Sequence, residues 1–353
     1  MNRSFATSLA LSALAAGCSP RGSRDMDPKS GVSPSTLASS DGGALLPGSG
    51  PIGWASVADG DQNGTTGGGP LEAVTVTSSY DLSSAVAGDA PRVVRLSGRI
   101  SGSIEVGSNK TIEGAPGAVL HGHLELDGSA NVIVRNLTIV GYNCADAAIC
   151  KLGKDAVTLS GAANHIWFDH CDVSDGSDGN FDITDAADFI TISWTKFWYS
   201  SKRAGGHEFS SLIGASDGAT GDAGHLRVTF YDDWWADHVS ERMPRVRFGQ
   251  VHLFNNLYTS AGNQYCVGLG FDANMLTENN VFVGVNNPIE STHHSNAESI
   301  IVSRGNLYQN TTGETVDKGT AVFTPPYPYR ASDASTVRDA VMHGAGPRGP
   351  APE

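Results

Sequence analysis

The chain has 353 residues, of which 17% are charged and 43 are glycines, and its formal net charge at pH 7 is -14. Few charges and many glycines favour an all-β protein with many turns over a helical one, and the length suffices to bury a sizeable core. The negative charge argues against broad electrostatic capture of nucleic acid, so binding of an acidic ligand would need a local basic cluster and a bound cation.

The first 18 residues have the pattern of a secretory signal. Asn2-Arg3 gives a positive start to an apolar run that is too short to span a membrane. The end of this run, Leu14 to Cys18, resembles a bacterial lipoprotein signal, although Ala15 stands where leucine is usual. Cys18 is therefore a predicted lipidation site, with plain secretion as the alternative. We expect a protein that is secreted or lipid-anchored at the bacterial cell envelope, touching the membrane only through that anchor.

The next residues predict the domain organisation. Residues 19–51 are rich in Ser, Gly, Pro and Asp and predict a flexible linker. Residues 52–345 form the predicted folded domain, and residues 346–353 form a tail.

Four cysteines remain after Cys18, an even number in an oxidising compartment. Cys144 and Cys150 share one short loop and predict a disulfide. Cys171 and Cys266 lie in strand-like stretches and are predicted to be buried free thiols. No cysteine spacing is typical of a zinc site.

The folded part repeats itself. Strand-like segments begin near residues 131, 165, 188, 225, 250, 274 and 299, and the last four starts are 25, 24 and 25 residues apart. An aromatic recurs near the segment ends, at Trp235, Tyr258, Phe282 and Tyr308, and an asparagine precedes three of these, at Asn256, Asn280 and Asn306. A short period built of strands predicts a solenoid, here a parallel β-helix with stacked aromatics and an asparagine ladder. A propeller would need about 40–45 residues per blade.

Three acids are candidates for a cation site. Asp178 and Asp182 flank Gly-Asn-Phe in a predicted tight turn, and Asp169 ends the preceding strand, so stacking of turns could bring it beside them. Carboxylates without Cys or His suit Ca²⁺, which prefers oxygen ligands. Solvated turn acids are the alternative.

A basic cluster follows the acids along the chain. In an extended segment Arg245 and Arg247 would share a face, while Pro244 would re-aim Arg242. Arginines this close repel one another unless an anion joins them, and ion pairs with acids of neighbouring turns are the alternative. Lys202 lies between the acids and the arginines and is uninformative by itself.

The ordered motifs resemble one known family. They are WFDH at 167–170, DGNFDI at 178–183, ITISWTKF at 190–197, SLIG at 211–214, LRVTFYDDWW at 226–235, RMPRVRFG at 242–249 and QVHLFNNLY at 250–258. From about Gly53 to Gly344 the chain resembles the polysaccharide lyase family 1 pectate lyases. The resemblance implies a right-handed parallel β-helix that acts as a monomer. It also implies cleavage of polygalacturonate or pectin by β-elimination, with Ca²⁺ between enzyme and substrate.

The resemblance also implies residue roles. The Ca²⁺ acids of the family fall on Asp169, Asp178 and Asp182. Its substrate-binding lysine falls on Lys202, its proton-abstracting arginine on Arg242 and an accompanying substrate-binding arginine on Arg247. Arg245 is assigned to structure or substrate support. Arginine is normally protonated, so a base role for Arg242 predicts an alkaline optimum.

Two departures and two alternatives accompany this interpretation. Residues 203–209 form an insertion after Lys202, and Asp232 to Trp235 replaces the usual Asn-Asn-x-Phe. A pectin lyase would act on methyl-esterified chains without Ca²⁺, and Asp178 with Asp182 favours pectate instead. A non-catalytic polysaccharide-binding β-helix would keep the repeats without needing Arg242.

Overall fold

The computed structural model describes residues 50–142, 153–202, 207–291 and 295–348. The predicted signal, linker and lipidation at Cys18 and the predicted disulfide between Cys144 and Cys150 lie outside these residues. In the described part, Cys171 and Cys266 are buried free thiols, as predicted, and burial raises the pKa of both.

Nearly all strands are short and pair in parallel with the strand one turn earlier and one turn later. Each full turn contributes one strand to each of three faces, which we name the first, second and third face in the order that the chain visits them. The stacked parallel strands and the scarcity of helices confirm the predicted right-handed parallel β-helix.

The first and third faces belong to one 15-stranded sheet. The first face comprises β10 (Val157–Ser160), β13 (Phe181–Ile183), β16 (Leu212–Ile213), β19 (Arg245–Val246), β22 (Val267–Leu269) and β25 (Ile289–Ser291). The third face comprises β9 (Thr138–Val140), β12 (Asp172–Ser174), β15 (Lys196–Trp198), β18 (Trp234–Trp235), β21 (Leu257–Tyr258), β24 (Val281–Val283) and β27 (Leu307–Gln309). Two long strands, β5 (Arg99–Glu105) and β7 (Val119–Asp127), join them, because β7 pairs with both β9 and β10.

The second face is a ten-stranded sheet, and each predicted repeat start lies in one of its strands or up to three residues before it. Its strands are β3 (Val74–Val76), β4 (Arg92–Leu96), β6 (Lys110–Gly114), β8 (Ala130–Arg135), β11 (Asn164–Asp169), β14 (Asp188–Ser193), β17 (Val228–Tyr231), β20 (Gln250–Phe254), β23 (Asn274–Glu278) and β26 (Ile300–Arg304). The central strands β14 and β17 are buried along their whole length, and their polar residues, such as Thr191 and Thr229, are buried as well.

Helices are few and peripheral. Helix α1 (Ser79–Val86) begins where Ser78 accepts a hydrogen bond from the Asp81 amide at 3.1 Å, and it buries Leu82 and Val86 in the core. Helix α2 (Ala334–Gly344) packs Val337 and Val341 against the third face. Single 3-10 turns occur at Trp54–Ser56 and Thr220–Asp222, and β1 (Ala58–Asp59) pairs with β2 (Gln62–Asn63) in a small hairpin. Within the described ranges no helix is long and apolar enough to cross a membrane.

The predicted aromatic stack runs through the core behind the third face. Trp235, Tyr258, Phe282 and Tyr308 occupy one register position in successive strands. Their ring centroids follow one another at 4.8, 4.3 and 5.3 Å, and each pair is stacked face to face. Equal side chains therefore lie above one another, as a repeat of one turn requires.

The predicted asparagine ladder lies beside this stack. Asn256 is fully buried, accepts a hydrogen bond from the Asp233 amide at 2.9 Å and donates one to the Phe230 carbonyl at 3.0 Å. Asn280 repeats the pattern one turn later, accepting from the Asn256 amide at 2.9 Å. The ladder thus satisfies backbone groups at the bend between the second and third faces, where no strand neighbour reaches them.

Replacement of Asn256 by Ala should lower the free energy of unfolding by about 2–4 kcal/mol, because a buried amide N–H and a buried carbonyl each lose their partner. Urea denaturation followed by circular dichroism measures the change. The control is Asn63→Ala at an exposed position of β2, which should stay within about 0.5 kcal/mol of wild type. Equal effects of the two substitutions would contradict the role of the ladder.

Candidate functional site

The acids after β12 and the arginines around β19 meet on the first face. The amide of Leu212 in β16 donates to Asp182 Oδ1 at 3.1 Å, and Leu212 is the register partner of Arg245 in β19. Asp182 and Arg245 are therefore separated by one strand, which places their backbones about 10 Å apart. The first face thus carries a negative and a positive group across one shallow surface.

A further acid, Asp155, lies beside Asp182. Val157 in β10 pairs with Phe181 in β13, which puts Asp155 one turn before Gly179. A Cβ atom on Gly179 would lie 2.8 Å from Asp155 Oδ1 and 3.3 Å from Asp182 Oδ1, so both carboxylates face the same point. Glycine at this position leaves that point open.

These carboxylates destabilise one another's charge. Burial raises the pKa of Asp155 well above its usual range, and the charges of Asp182 and Asp178 act in the same direction. Burial raises the pKa of Asp182 to about 7, and Asp178 contributes. Asp178 is more exposed, and its Oδ1 lies 3.7 Å from Nδ1 of His207. Like charges held this close are typical of a place that receives a cation.

The donor set fits a hard cation. Asp155 Oδ2 accepts a hydrogen bond from Thr158 at 3.1 Å, whereas its Oδ1 is buried and has no hydrogen-bond partner in the described structure. Carboxylate oxygens of this kind are ligands that Ca²⁺ prefers. Within the described ranges no three His, Cys, Asp or Glu side chains lie so that they could hold a metal ion by themselves.

The structure places Asp169 on the second face, away from these acids. Asp169 ends β11 on the second face, where its Oδ1 accepts a hydrogen bond from Ser193 at 2.7 Å and its Oδ2 lies 2.8 Å from Nδ1 of His170. The chain still has to pass through β12 on the third face before it reaches Asp178. Stacking brings together residues that are one full turn apart. The residue one turn before Gly179 is Asp155.

The predicted repeat does not include Asp155, because its starts at residues 131 and 165 leave out β10, which lies between them. The signal was present in the sequence. Lys-Asp-Ala-Val-Thr-Leu at 154–159 is followed 24 residues later by Asp-Gly-Asn-Phe-Asp-Ile at 178–183, with the apolar residues in register.

Arg242 lies in the turn that precedes β19. It follows a parallel bridge between Phe209 and Glu241, has a left-handed backbone (φ 63°), and precedes a cis Met243–Pro244 peptide bond. Its guanidinium carbon lies 3.9 Å from the centroid of the Phe209 ring. The positive charge of Arg242 acts against the rise in the pKa of Asp155 and of Asp182, so the guanidinium lies near these acids.

Arg247 and Arg245 differ in their surroundings. Arg247 is 7% exposed, donates through Nε to Asp217 Oδ1 at 2.7 Å and through Nη1 to the Gly214 carbonyl at 2.8 Å. Arg245 is half-buried, and its Nε and Nη2 have no hydrogen-bond partner in the part of the chain that the structure describes. Burial, with the charges of Arg247 and Arg242, lowers the pKa of Arg245. The donors without a partner therefore belong to Arg245, whereas the family resemblance pointed to Arg247 as the substrate-binding arginine.

Lys202 is exposed and donates to the Gly262 carbonyl at 3.4 Å. Among the described residues its contacts do not include the acids or Arg242. The side chain that the structure places against Arg242 is Phe209, within the stretch that sequence analysis treated as an insertion.

Comparison with known proteins identifies one family. A family model described as pectate lyase matches residues 42–348. Pectate lyase A of Emericella nidulans is 35% identical over 308 residues, which cover 84% of this chain and 86% of that protein. Pectate lyase E of Dickeya chrysanthemi is 30% identical over 359 residues, which cover 83% of this chain and 89% of that protein.

Solved structures show the same fold. The pectate lyase Bsp165PelA from Bacillus sp. N165, crystallised in complex with trigalacturonate, matches with a TM-score of 0.71 and 22% identity, covering 84% of this chain and 98% of that one.

Substitution of the two arginines should affect stability to different extents. Arg247→Ala should lower the free energy of unfolding by about 2 kcal/mol, because Asp217 and the Gly214 carbonyl lose a buried partner. Arg245→Ala should change it by less than about 1 kcal/mol, because the substitution removes donors that have no partner. Urea denaturation of both variants without ligand measures the difference, and a larger loss for Arg245→Ala would contradict the contrast.

Proposed function

Because the chain belongs to the pectate lyase family and is a polysaccharide lyase, we propose that it cleaves α-1,4-linked polygalacturonate by Ca²⁺-dependent β-elimination. The products would be 4,5-unsaturated oligogalacturonides. The single observation that carries this proposal is the convergence of the Asp155 and Asp182 carboxylates on one open point beside Gly179, with the charge of Arg242 nearby.

Asp155, Asp178 and Asp182 would hold the Ca²⁺. Support comes from the unpartnered Asp155 Oδ1, the raised pKa of Asp155 beside the charges of Asp182 and Asp178, and the open space over Gly179. A bound Ca²⁺ would neutralise the carboxylate of a uronate residue and stabilise the negative charge that develops next to it in the transition state. Asp169 has no part in this proposal, because it lies on the second face.

Arg242 would remove the proton. The C5 proton of galacturonate is acidic because it lies alpha to the C6 carboxylate. Arg242 takes this proton, the electron pair of the C5–H bond forms the C4=C5 double bond, and the glycosidic oxygen leaves C4 with the electrons of its bond and takes a proton from water. Arginine accepts a proton only when neutral, so the rate should rise with pH through the alkaline range.

Arg245 would recognise a second carboxylate of the chain. Its Nε and Nη2 are donors without a partner in the described structure, and a guanidinium binds a carboxylate with two parallel hydrogen bonds. Arg247, tied to Asp217 and Gly214, would support the shape of this surface. Lys202 could join the site only by leaving Gly262.

The acids and Arg245 favour pectate over methyl-esterified pectin. A methyl ester removes the negative charge that both the cation and the guanidinium would bind, so each esterified residue loses the interactions that this surface offers. Secretion through residues 1–18, lipidation at Cys18 and action as a monomer complete the proposal.

The direct test follows the absorbance of unsaturated uronides with polygalacturonate at alkaline pH, with Ca²⁺ and then with EDTA. We expect activity that EDTA abolishes and that Arg242→Ala lowers by about a thousandfold, because general-base catalysis contributes about 10²–10⁴ in rate. The matched control is Arg95→Ala, an exposed arginine of β4, which should keep wild-type activity. Activity only on methylated pectin, insensitive to EDTA, would contradict the proposal.

A further inference from the structure

The Arg242 guanidinium lies over an aromatic ring. Its central carbon is 3.9 Å from the centroid of the Phe209 ring, well inside the limit of about 6 Å for a cation–π contact. Phe209 is partly exposed, so its ring forms part of the surface on which the acids and Arg242 meet.

Hydrogen bonds on two sides hold the backbone at and after Phe209. On the side of Arg242, the Ser210 amide donates to the Glu241 carbonyl at 3.1 Å and the Ser211 amide donates to the Arg242 carbonyl at 2.6 Å. On the side of the acids, the Phe209 carbonyl accepts hydrogen bonds from the Tyr199 hydroxyl at 2.7 Å and from the Asn180 amide at 3.0 Å. The backbone that carries the Phe209 ring is therefore held between the acid turn and the arginine turn.

Arg227 makes a similar contact with an aromatic ring but also has an ion pair, which Arg242 lacks among the described residues. Arg227 also lies 3.9 Å from an aromatic centroid, that of Phe189, but Asp188 binds its guanidinium as well, with Arg227 Nε 2.9 Å from Asp188 Oδ1. Arg242 makes no such ion pair with any described residue, and its Nε is buried without a hydrogen-bond partner. The Phe209 ring is thus the described contact that orients the Arg242 guanidinium.

We propose that Phe209 is a positioning residue that holds the plane of the Arg242 guanidinium and leaves its in-plane nitrogens free for substrate. A carboxylate partner would also orient the guanidinium, but it would occupy the same in-plane positions through which a proton is accepted. An aromatic face contacts the guanidinium from above and occupies none of them. This inference rests on the proposed role of Arg242 as the base.

The test compares Phe209→Leu, which removes the ring, with Phe209→Tyr, which keeps it, by steady-state kinetics on polygalacturonate. We expect Phe209→Leu to lower kcat by about 10- to 100-fold with KM within about twofold, because a small misplacement of a reacting group costs up to about 10² in rate. Phe209→Tyr should keep kcat within about threefold. Trp198→Leu, which removes a ring 4.9 Å from Lys196 on the third face, is the control and should leave kcat unchanged.

A double-mutant cycle separates positioning from a merely structural role. Once Arg242→Lys has replaced the guanidinium, adding Phe209→Leu should cost less than about threefold more, whereas a structural role predicts that the losses multiply. Multiplying losses, an unchanged kcat in Phe209→Leu, or a Phe209→Tyr variant as slow as Phe209→Leu would overturn the inference while the lyase activity stands. A folded wild-type protein without lyase activity would overturn the proposed function and this inference together.

Discussion

Parallel hydrogen bonding between successive turns is the constraint on which the rest of the structure depends. It fixes which residues become neighbours, because a residue lies beside the one that occupies the same place one turn earlier. The stacked rings from Trp235 to Tyr308 and the asparagine ladder through Asn256 follow from this register. The same register aligns Asp155 with Gly179 and, across β16, Asp182 with Arg245.

Charged groups that stabilise the fold and charged groups of the candidate site differ in whether they have partners. Charged groups that serve the fold have partners, as Arg247 has in Asp217 and Arg227 in Asp188. On the first face, by contrast, Asp155 Oδ1, Arg242 Nε and two nitrogens of Arg245 are buried and lack partners among the described residues. Unpaired buried polar groups cost free energy, and the proposed binding of Ca²⁺ and substrate carboxylates would supply partners for these atoms.

The fold was predictable from the sequence because a repeat leaves a direct trace in it. Strand starts at 225, 250, 274 and 299, together with recurring aromatics and asparagines, indicate a β-helix without any knowledge of contacts. The site was only partly predictable. Asp178, Asp182 and Arg242 come together on the first face, but Asp169 lies on the second, because sequence proximity does not tell which face a residue occupies. Identifying Asp155 and Phe209 requires knowledge of the exact strand register. The different surroundings of Arg245 and Arg247 depend on side-chain packing, which no local sequence pattern encodes.

The account rests most directly on Asp155, rather than Asp169, completing the cation site. Calorimetric titration of Ca²⁺ into Arg242→Ala protein with trigalacturonate present would test this, since the substrate stays intact. We predict that adding Asp155→Asn weakens Ca²⁺ binding by at least about tenfold, a loss of about 1.4 kcal/mol, whereas adding Asp169→Asn leaves it unchanged. Unchanged binding in the Asp155 variant, with a loss in the Asp169 variant, would contradict the account.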